Sequence, residues 1–456
     1  MIILKYNNKF DSIKIIVNFF LFILLNNTVY QYILSQEKFD YDPSKPIVRF
    51  SRIYSSRNEL LPPILRLTSN ISGYNVPLAT DELTFEFDVS SPVPPNVYAK
   101  FIHCSVDWQE DENVFLSDLV FSRTSNISWE SAPFVDSYYS YRGKIQFPNQ
   151  QVKLKFAGNW KIKIYDYDND TLPLVEAKFF VVDAKSNCQM RIISDFYLPM
   201  YNVAPSGLII ETDVLSFEQL IDSRLNTLVL YKNNRWEEPY YISEDLTLEN
   251  KNRKYKYRFP TMVSGIASAG KRFRIESIPA DNGYRILNLT NLAEYPRIKA
   301  PIQMPFSDLR RRGFFDEYDD DGAMITSYVS YSNDDYVLLE FLLDPDGWIS
   351  EDEVYVVGSF NNWTLNKNWQ MYYDEEQRYY RLRQWIRRAR HNYLYATGRF
   401  NFDSNTIDNI SFDEMEGTTA NALHTYIGFV YYKEIDFGGY DSIIGVGAAN
   451  IFGPVK

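Results

Sequence analysis

His103, His391 and His424, together with Cys104 and Cys188, are the side chains best suited to metal binding or nucleophilic chemistry. The histidines lie far apart, and none has the i, i+4 spacing that turns two imidazoles toward one ion. His103 beside Cys104 could ligate as a pair. Within Ala99-Lys100-Phe101-Ile102-His103-Cys104 the simpler reading is a hydrogen-bonded histidine in a buried strand. No G-x-S-x-G elbow occurs, since 265–270 spaces its serine differently. Gly445-Val446-Gly447 lacks the third small residue of a dinucleotide loop, because Asn450 stands there. Asp166, Asp168 and Asp170 take the first three ligand spacings of a calcium loop, but Thr171 and Ala177 replace its glycine and bidentate glutamate. The run Asp319-Asp320-Asp321-Gly322 fails in the same way. The 59 acidic residues include no pair that spacing singles out for acid–base work. No catalytic residue, cofactor site or metal site is assigned.

Two groups have the chemistry of contact instead. Between positions 378 and 390 stand six arginines interleaved with Tyr380 and Trp385, and arginine with aromatics makes strong contact patches. Arg381, Arg383, Trp385, Arg387 and Arg388 are therefore the candidate partner-binding residues. The competing reading is a strand with a solvated basic face, neutralised by Asp374-Glu375-Glu376. Trp363 and Trp369, with Asn362 and Lys367, could form a sugar platform. Burial of Phe360 and Trp363 is favoured, because aromatics at a strand exit remove a large apolar area from water.

The elements that must position these groups are strands. Aromatic residues make up 16% of the chain, and such side chains favour pleated, half-buried surfaces. Leu83, Phe85, Phe87 and Val89 alternate with polar residues and share one face, and 160–167 alternates with its lysines outward. Residues 177–182 and 254–259 continue the pattern, and 227–232 leads through Asn233-Asn234 into a hairpin-like return. The fold class predicted is mostly β, in tandem Ig-like β-sandwich domains. The segments are 1–35 as a signal peptide, 36–186 as an N-terminal sandwich, 187–309 as a middle β-rich domain, 310–335 as a charged linker and 336–456 as the last domain, with 426–433 as its end strand.

Lys5, Lys9 and Lys14 precede the apolar stretch 15–25, which is too short to anchor in a bilayer and reads as an export signal cut after Ser35. A net charge of −12 argues against nucleic acid and anionic membrane surfaces as main partners. In an oxidising compartment Cys104 and Cys188 could pair, while Cys104 reads equally as a small apolar core residue.

Several separated runs resemble one family. They are Phe101-Ile102-His103-Cys104-Ser105-Val106-Asp107-Trp108-Gln109, Ile145-Gln146-Phe147-Pro148-Asn149 and Leu154-Lys155-Phe156-Ala157-Gly158-Asn159-Trp160, then Phe273-Arg274-Ile275-Glu276-Ser277. Val354-Tyr355-Val356-Val357-Gly358-Ser359-Phe360-Asn361-Asn362-Trp363 follows, then Glu416-Gly417, Val430-Tyr431-Tyr432 and 440–446. In order and spacing the set resembles the plug protein of the bacterial type IX secretion system of Bacteroidota. The 354–363 run alone also resembles the start of early-set Ig-like domains, glycogen-binding modules among them. Thr418-Thr419-Ala420-Asn421 departs from the family's acidic stretch. The resemblance implies a non-enzymatic periplasmic protein, associated with the outer membrane and without a membrane span of its own, that closes the translocon barrel. The alternative is a carbohydrate-binding module protein of the envelope.

Overall fold

The computed structural model describes residues 45–67, 76–116, 121–133, 138–195, 206–215, 222–266, 270–311, 320–418 and 422–455. The export signal and the segment preceding Lys45 lie outside them, as do Asp319, Arg312 and 419–421. Strands dominate, and the two α-helices among the described residues span only four residues each, Leu246–Glu249 and Asp413–Glu416.

The strand Leu83–Ser90 is the clearest product of the sequence pattern. Leu83, Phe85, Phe87 and Val89 are all buried, and they face a second sheet across an apolar core. One sheet orders Ile47–Ser55, Leu83–Ser90, Tyr141–Phe147 and Ser128–Ser131, all antiparallel. Its mate orders Ile64–Arg66, Val175–Val182, Gly158–Asp166, Val97–Cys104 and Arg123–Thr124. Between them lie Phe101, Phe147, Ile162, Ile164 and Phe179, which make the first sandwich.

The middle sandwich pairs two sheets. The first orders Asn187–Asp195, Gly207–Leu215, Gly270–Pro279 and Thr261–Ile266. The second orders Tyr240–Ser243, Thr227–Lys232, Tyr426–Glu434, Tyr440–Asn450 and Gly453–Pro454. The strand expected to end the last domain therefore pairs instead with Thr227–Lys232, register Val229 to Phe429. The chain leaves the middle sandwich after Pro279, builds a third, and comes back. The reason lies in burial: Thr227–Lys232 is buried at every position and Tyr426–Glu434 through Tyr432, so this sheet is covered on both faces. A doubly covered strand reads as a continuous apolar run with no alternation to orient it.

The third sandwich stacks Arg285–Asn288, Arg390–Asn401, Glu353–Gly358 and Thr406–Ser411 on a sheet centred on Tyr336–Asp344 and Tyr379–Arg387. Leu339, Phe341, Val354, Val356, Phe360 and Tyr395 fill its core. Two local expectations change. Lys254 to Phe259 forms no strand: a 3-10 turn Asn250–Lys254 runs into an extended segment that buries Tyr255 and Phe259 in the middle core. The strand after Asn233-Asn234 begins only at Tyr240, because Arg235 turns inward.

Candidate functional site

The seam between the first and third sandwiches carries a cluster of buried charges. Opposite its apolar face, Leu83–Ser90 presents Glu86 and Asp88, both buried. The third sandwich supplies Arg387, whose guanidinium meets Glu86 and lies 3.3 Å from Asp334. Arg52 donates to the same Glu86 oxygen, Oε1, at 3.0 Å. Arg142 grips Asp88 with two hydrogen bonds, at 2.5 and 3.0 Å, and also pairs with Asp334. Tyr336 donates to Asp88 at 2.7 Å. Three guanidinium groups thus meet three carboxylates across the seam. Burial pushes the Glu86 carboxyl up, but Arg387, Arg52 and Arg142 together hold it well below the usual carboxylate range.

This network decides the fate of the arginine-rich strand. Arg381, Arg383, Trp385 and Arg387 share one face because strand side chains alternate. Arg381 and Arg383 both reach Glu340, on the neighbouring strand, at 2.7 and 3.1 Å, and Arg381 also pairs with Asp374 at 3.0 Å. Trp385 stacks on Tyr138 of the first sandwich with ring centres 4.7 Å apart. Arg388 points the other way, and its Nη1 donates to the carbonyls of Leu289 and Tyr295. Arg387 and Arg388 are buried, so they are internal fastenings and not a partner-facing patch. Only Arg383 of the five stays exposed. The neutralisation by Asp374 expected under the competing reading is present.

The run Gly358-Ser359-Phe360-Asn361-Asn362-Trp363 gathers all three sandwiches at one point. A Cβ at Gly358 would stand 2.5 Å from the Asn392 carbonyl, so glycine alone allows this close approach. Asn361 folds back to accept from the Gly358 amide at 3.0 Å. Phe360 enters the third core. Asn362 and Trp363 then turn through left-handed backbone, φ 52° and 59°. Asn362 donates to the Ser51 carbonyl of the first sandwich at 2.9 Å. Trp363 enters the core shared with the middle sandwich, 4.8 Å from Tyr284, and its indole donates to Gly322. At 1% exposure Trp363 cannot stack on a sugar. Trp369 is half-buried and stacked on Phe360 at 4.9 Å. A cleft of about 350 Å³ lies at the junction, lined by Arg52, Tyr54, Trp236, Asn362 and Trp363 among others.

The three histidines are likewise partnered. His103 lies 2.5 Å from Asp111 and 3.1 Å from the Ala157 carbonyl, as expected of a satisfied core histidine. His391 donates to the Arg387 carbonyl at 2.8 Å and accepts from Ser359 at 3.0 Å, and burial pushes it down to about 4. His424 donates to the Asn282 carbonyl at 3.0 Å and accepts from Asn233 at 3.1 Å. Burial and the neighbouring Lys232 push it down to about 3. Beside it, Asp281 takes Lys232 at 2.6 Å and Arg235 at 3.3 Å. Sequence gave no hint of this cluster, since Lys232 and Arg235 look like the polar ends of a hairpin. Cys104 and Cys188 are both free thiols, each pushed up to about 12 by burial. The Asp166 carboxylate accepts from the Asp168 amide at 3.0 Å in an exposed turn.

Comparison with known proteins returns one family and one fold. Residues 51–183, the first sandwich, match the family model described as Type 9 secretion system plug protein 1st domain. The matched run at Cys104 to Trp108 lies at the seam with the middle sandwich, where the Trp108 indole donates to the Tyr231 hydroxyl at 3.1 Å. No curated protein matches. A hypothetical protein from Parabacteroides merdae, known from a crystal structure, is 16% identical and covers 89% of this chain and 98% of its own, with a TM-score of 0.69. That likeness concerns the fold alone. A complex of Dpr2 Ig1-Ig2 with DIP-Theta Ig1-Ig3 aligns at 8% identity over 51% of this chain and 86% of its own, with a TM-score of 0.14, too low to indicate a common fold.

Proposed function

Since the chain carries the first domain of the type 9 secretion system plug family, we propose that it is a non-enzymatic periplasmic plug that closes the outer-membrane translocon barrel when no cargo is passing. The family match over 51–183 is the observation that carries this reading. The architecture supports it physically. A barrel wide enough for folded proteins leaks unless its closure is rigid. Three sandwiches locked by a buried ion network and by Trp363 resist relative movement better than domains on loose linkers. None of the described helices is long and apolar enough to cross a membrane. The acidic balance of −12 favours solubility in an aqueous compartment and a partner with basic groups. With Trp363 buried, the sugar-binding alternative is left with Trp369, which is half-buried and stacked on Phe360.

Deletion should admit large antibiotics that the outer membrane normally excludes, and only in cells that make the translocon. Equal antibiotic sensitivity with and without the chain, in cells containing the translocon, would overturn the reading.

A further inference from the structure

Two loops from different sandwiches carry large apolar side chains into solvent side by side. One, around 111–116, follows the strand Val97–Cys104 of the first sandwich. The other turns between Tyr426–Glu434 and Tyr440–Asn450 of the middle sandwich. Val114, Phe115, Ile435 and Phe437 are 76%, 62%, 62% and 56% exposed. The loops are fastened together: the Asn113 side chain donates to the Phe437 carbonyl at 2.6 Å and to that of Gly439 at 3.4 Å. The Phe437 ring packs edge-on against Phe156 at 5.2 Å, and Phe156 packs against Tyr440 at 5.4 Å. Phe437 itself sits in left-handed backbone, φ 53°, a conformation that costs a non-glycine residue on the order of 1 kcal/mol.

An exposed ring held this firmly does little for folding. Contiguous apolar surface of this kind marks contact with a partner, and its pre-ordering lowers the entropy lost on docking. Other exposed phenylalanines, Phe306, Phe402 and Phe452, stand on separate loops. Two acidic side chains stand next to the patch in the chain, while the nearby exposed Lys433 is paired with Asp441 at 3.0 Å and Lys155 lies over the Phe121 ring. Glu112 and Asp436 are exposed and form no ion pair with another described residue. Two copies meeting through this patch would crowd like charges, and an anionic lipid surface would be repelled. The complementary surface is apolar at its centre with lysine or arginine around it.

We propose that Val114, Phe115, Ile435 and Phe437 form the knob that seats in the periplasmic mouth of the translocon barrel, against an apolar pocket bordered by basic side chains. The proposal rests on the plug reading above. It is tested by affinity purification of the translocon from cells carrying the full-length chain, with the bound chain quantified by mass. Paired Phe115→Ser and Phe437→Ser should reduce recovery at least about tenfold while the chain stays folded by circular dichroism, since both rings are more than half exposed. Glu112→Lys with Asp436→Lys, which leaves the apolar centre intact, should also reduce recovery. Phe402→Ser with Phe452→Ser should not. Recovery of both knob variants at the wild-type level overturns the knob and leaves the plug reading standing. So does a wild-type chain that dimerises, or floats with phosphatidylglycerol vesicles, through these residues. If the unaltered chain fails to co-purify, the plug reading falls and the knob with it.

Discussion

Of the six arginines between 378 and 390, Arg383 and Arg387 stand on the same face of one strand and meet opposite fates. Arg383 is itself exposed, and the Glu340 carboxylate it reaches also holds Arg381 at 2.7 Å, so losing Arg383 leaves that carboxylate paired and costs only about 0–1 kcal/mol. Arg387 meets Glu86 and Asp334 out of water. Its removal strands buried carboxylates, which typically costs about 3–5 kcal/mol. Arg387→Ala should therefore lower stability in urea by several kcal/mol, and Arg383→Ala by less than about 1 kcal/mol; equal losses would refute the assignment. The histidines set a second residue-scale expectation. His391 and His424 titrate near 4 and 3 in the folded chain, below the ordinary histidine value of about 6.5. Between those values the unfolded chain binds protons that the folded chain refuses. Stability should thus fall as pH drops from about 6.5 toward 4, by about 1.4 kcal/mol per pH unit for each histidine. Urea midpoints from pH 7 to 5 check the sign, and His391→Gln with His424→Gln should flatten the slope.

At the scale of elements, legibility followed polarity: Leu83–Ser90 is buried on both faces, but Glu86 and Asp88 mark the second one. Leu83–Ser90 and Gly158–Asp166 were readable because each alternates apolar residues toward one core with polar ones away from it; Lys161 and Lys163, expected outward, are largely covered and pair with Glu110 and with Glu176 of the neighbouring strand. Tyr426–Glu434 was readable as a strand but not by partner, since both its faces are buried and pattern cannot choose a side. Lys254 to Phe259 alternated convincingly, yet its two buried rings are reached from an extended segment and no ladder forms. The 358–363 turn marked an aromatic strand exit correctly, but its junction role depends on Ser51 and Tyr284, hundreds and tens of positions away. Trp363→Ala should cost about 3–5 kcal/mol and loosen two sandwiches together. Hydrogen exchange would show faster amide exchange in both Glu353–Gly358 and Thr227–Lys232. A loss confined to the third sandwich would show that Trp363 is not a junction.

For the whole molecule, the candidate site was only partly legible, and for one reason. Sequence pointed to arginines and tryptophans as contact groups, and they are, but the contacts of Arg387 and Trp363 are between this chain's own sandwiches. The exposed tips at Phe115 and Phe437 left no sequence signal, because a lone aromatic in a polar loop resembles any other until two loops are brought together. The family match covers the first sandwich, while closure of a pore would draw on all three as one rigid body. The most direct measurement is the conductance of the purified translocon in a planar bilayer, before and after adding the full-length chain. Conductance should fall close to the bare-bilayer level as the chain binds. An open, unchanged conductance with the chain demonstrably bound would contradict the account.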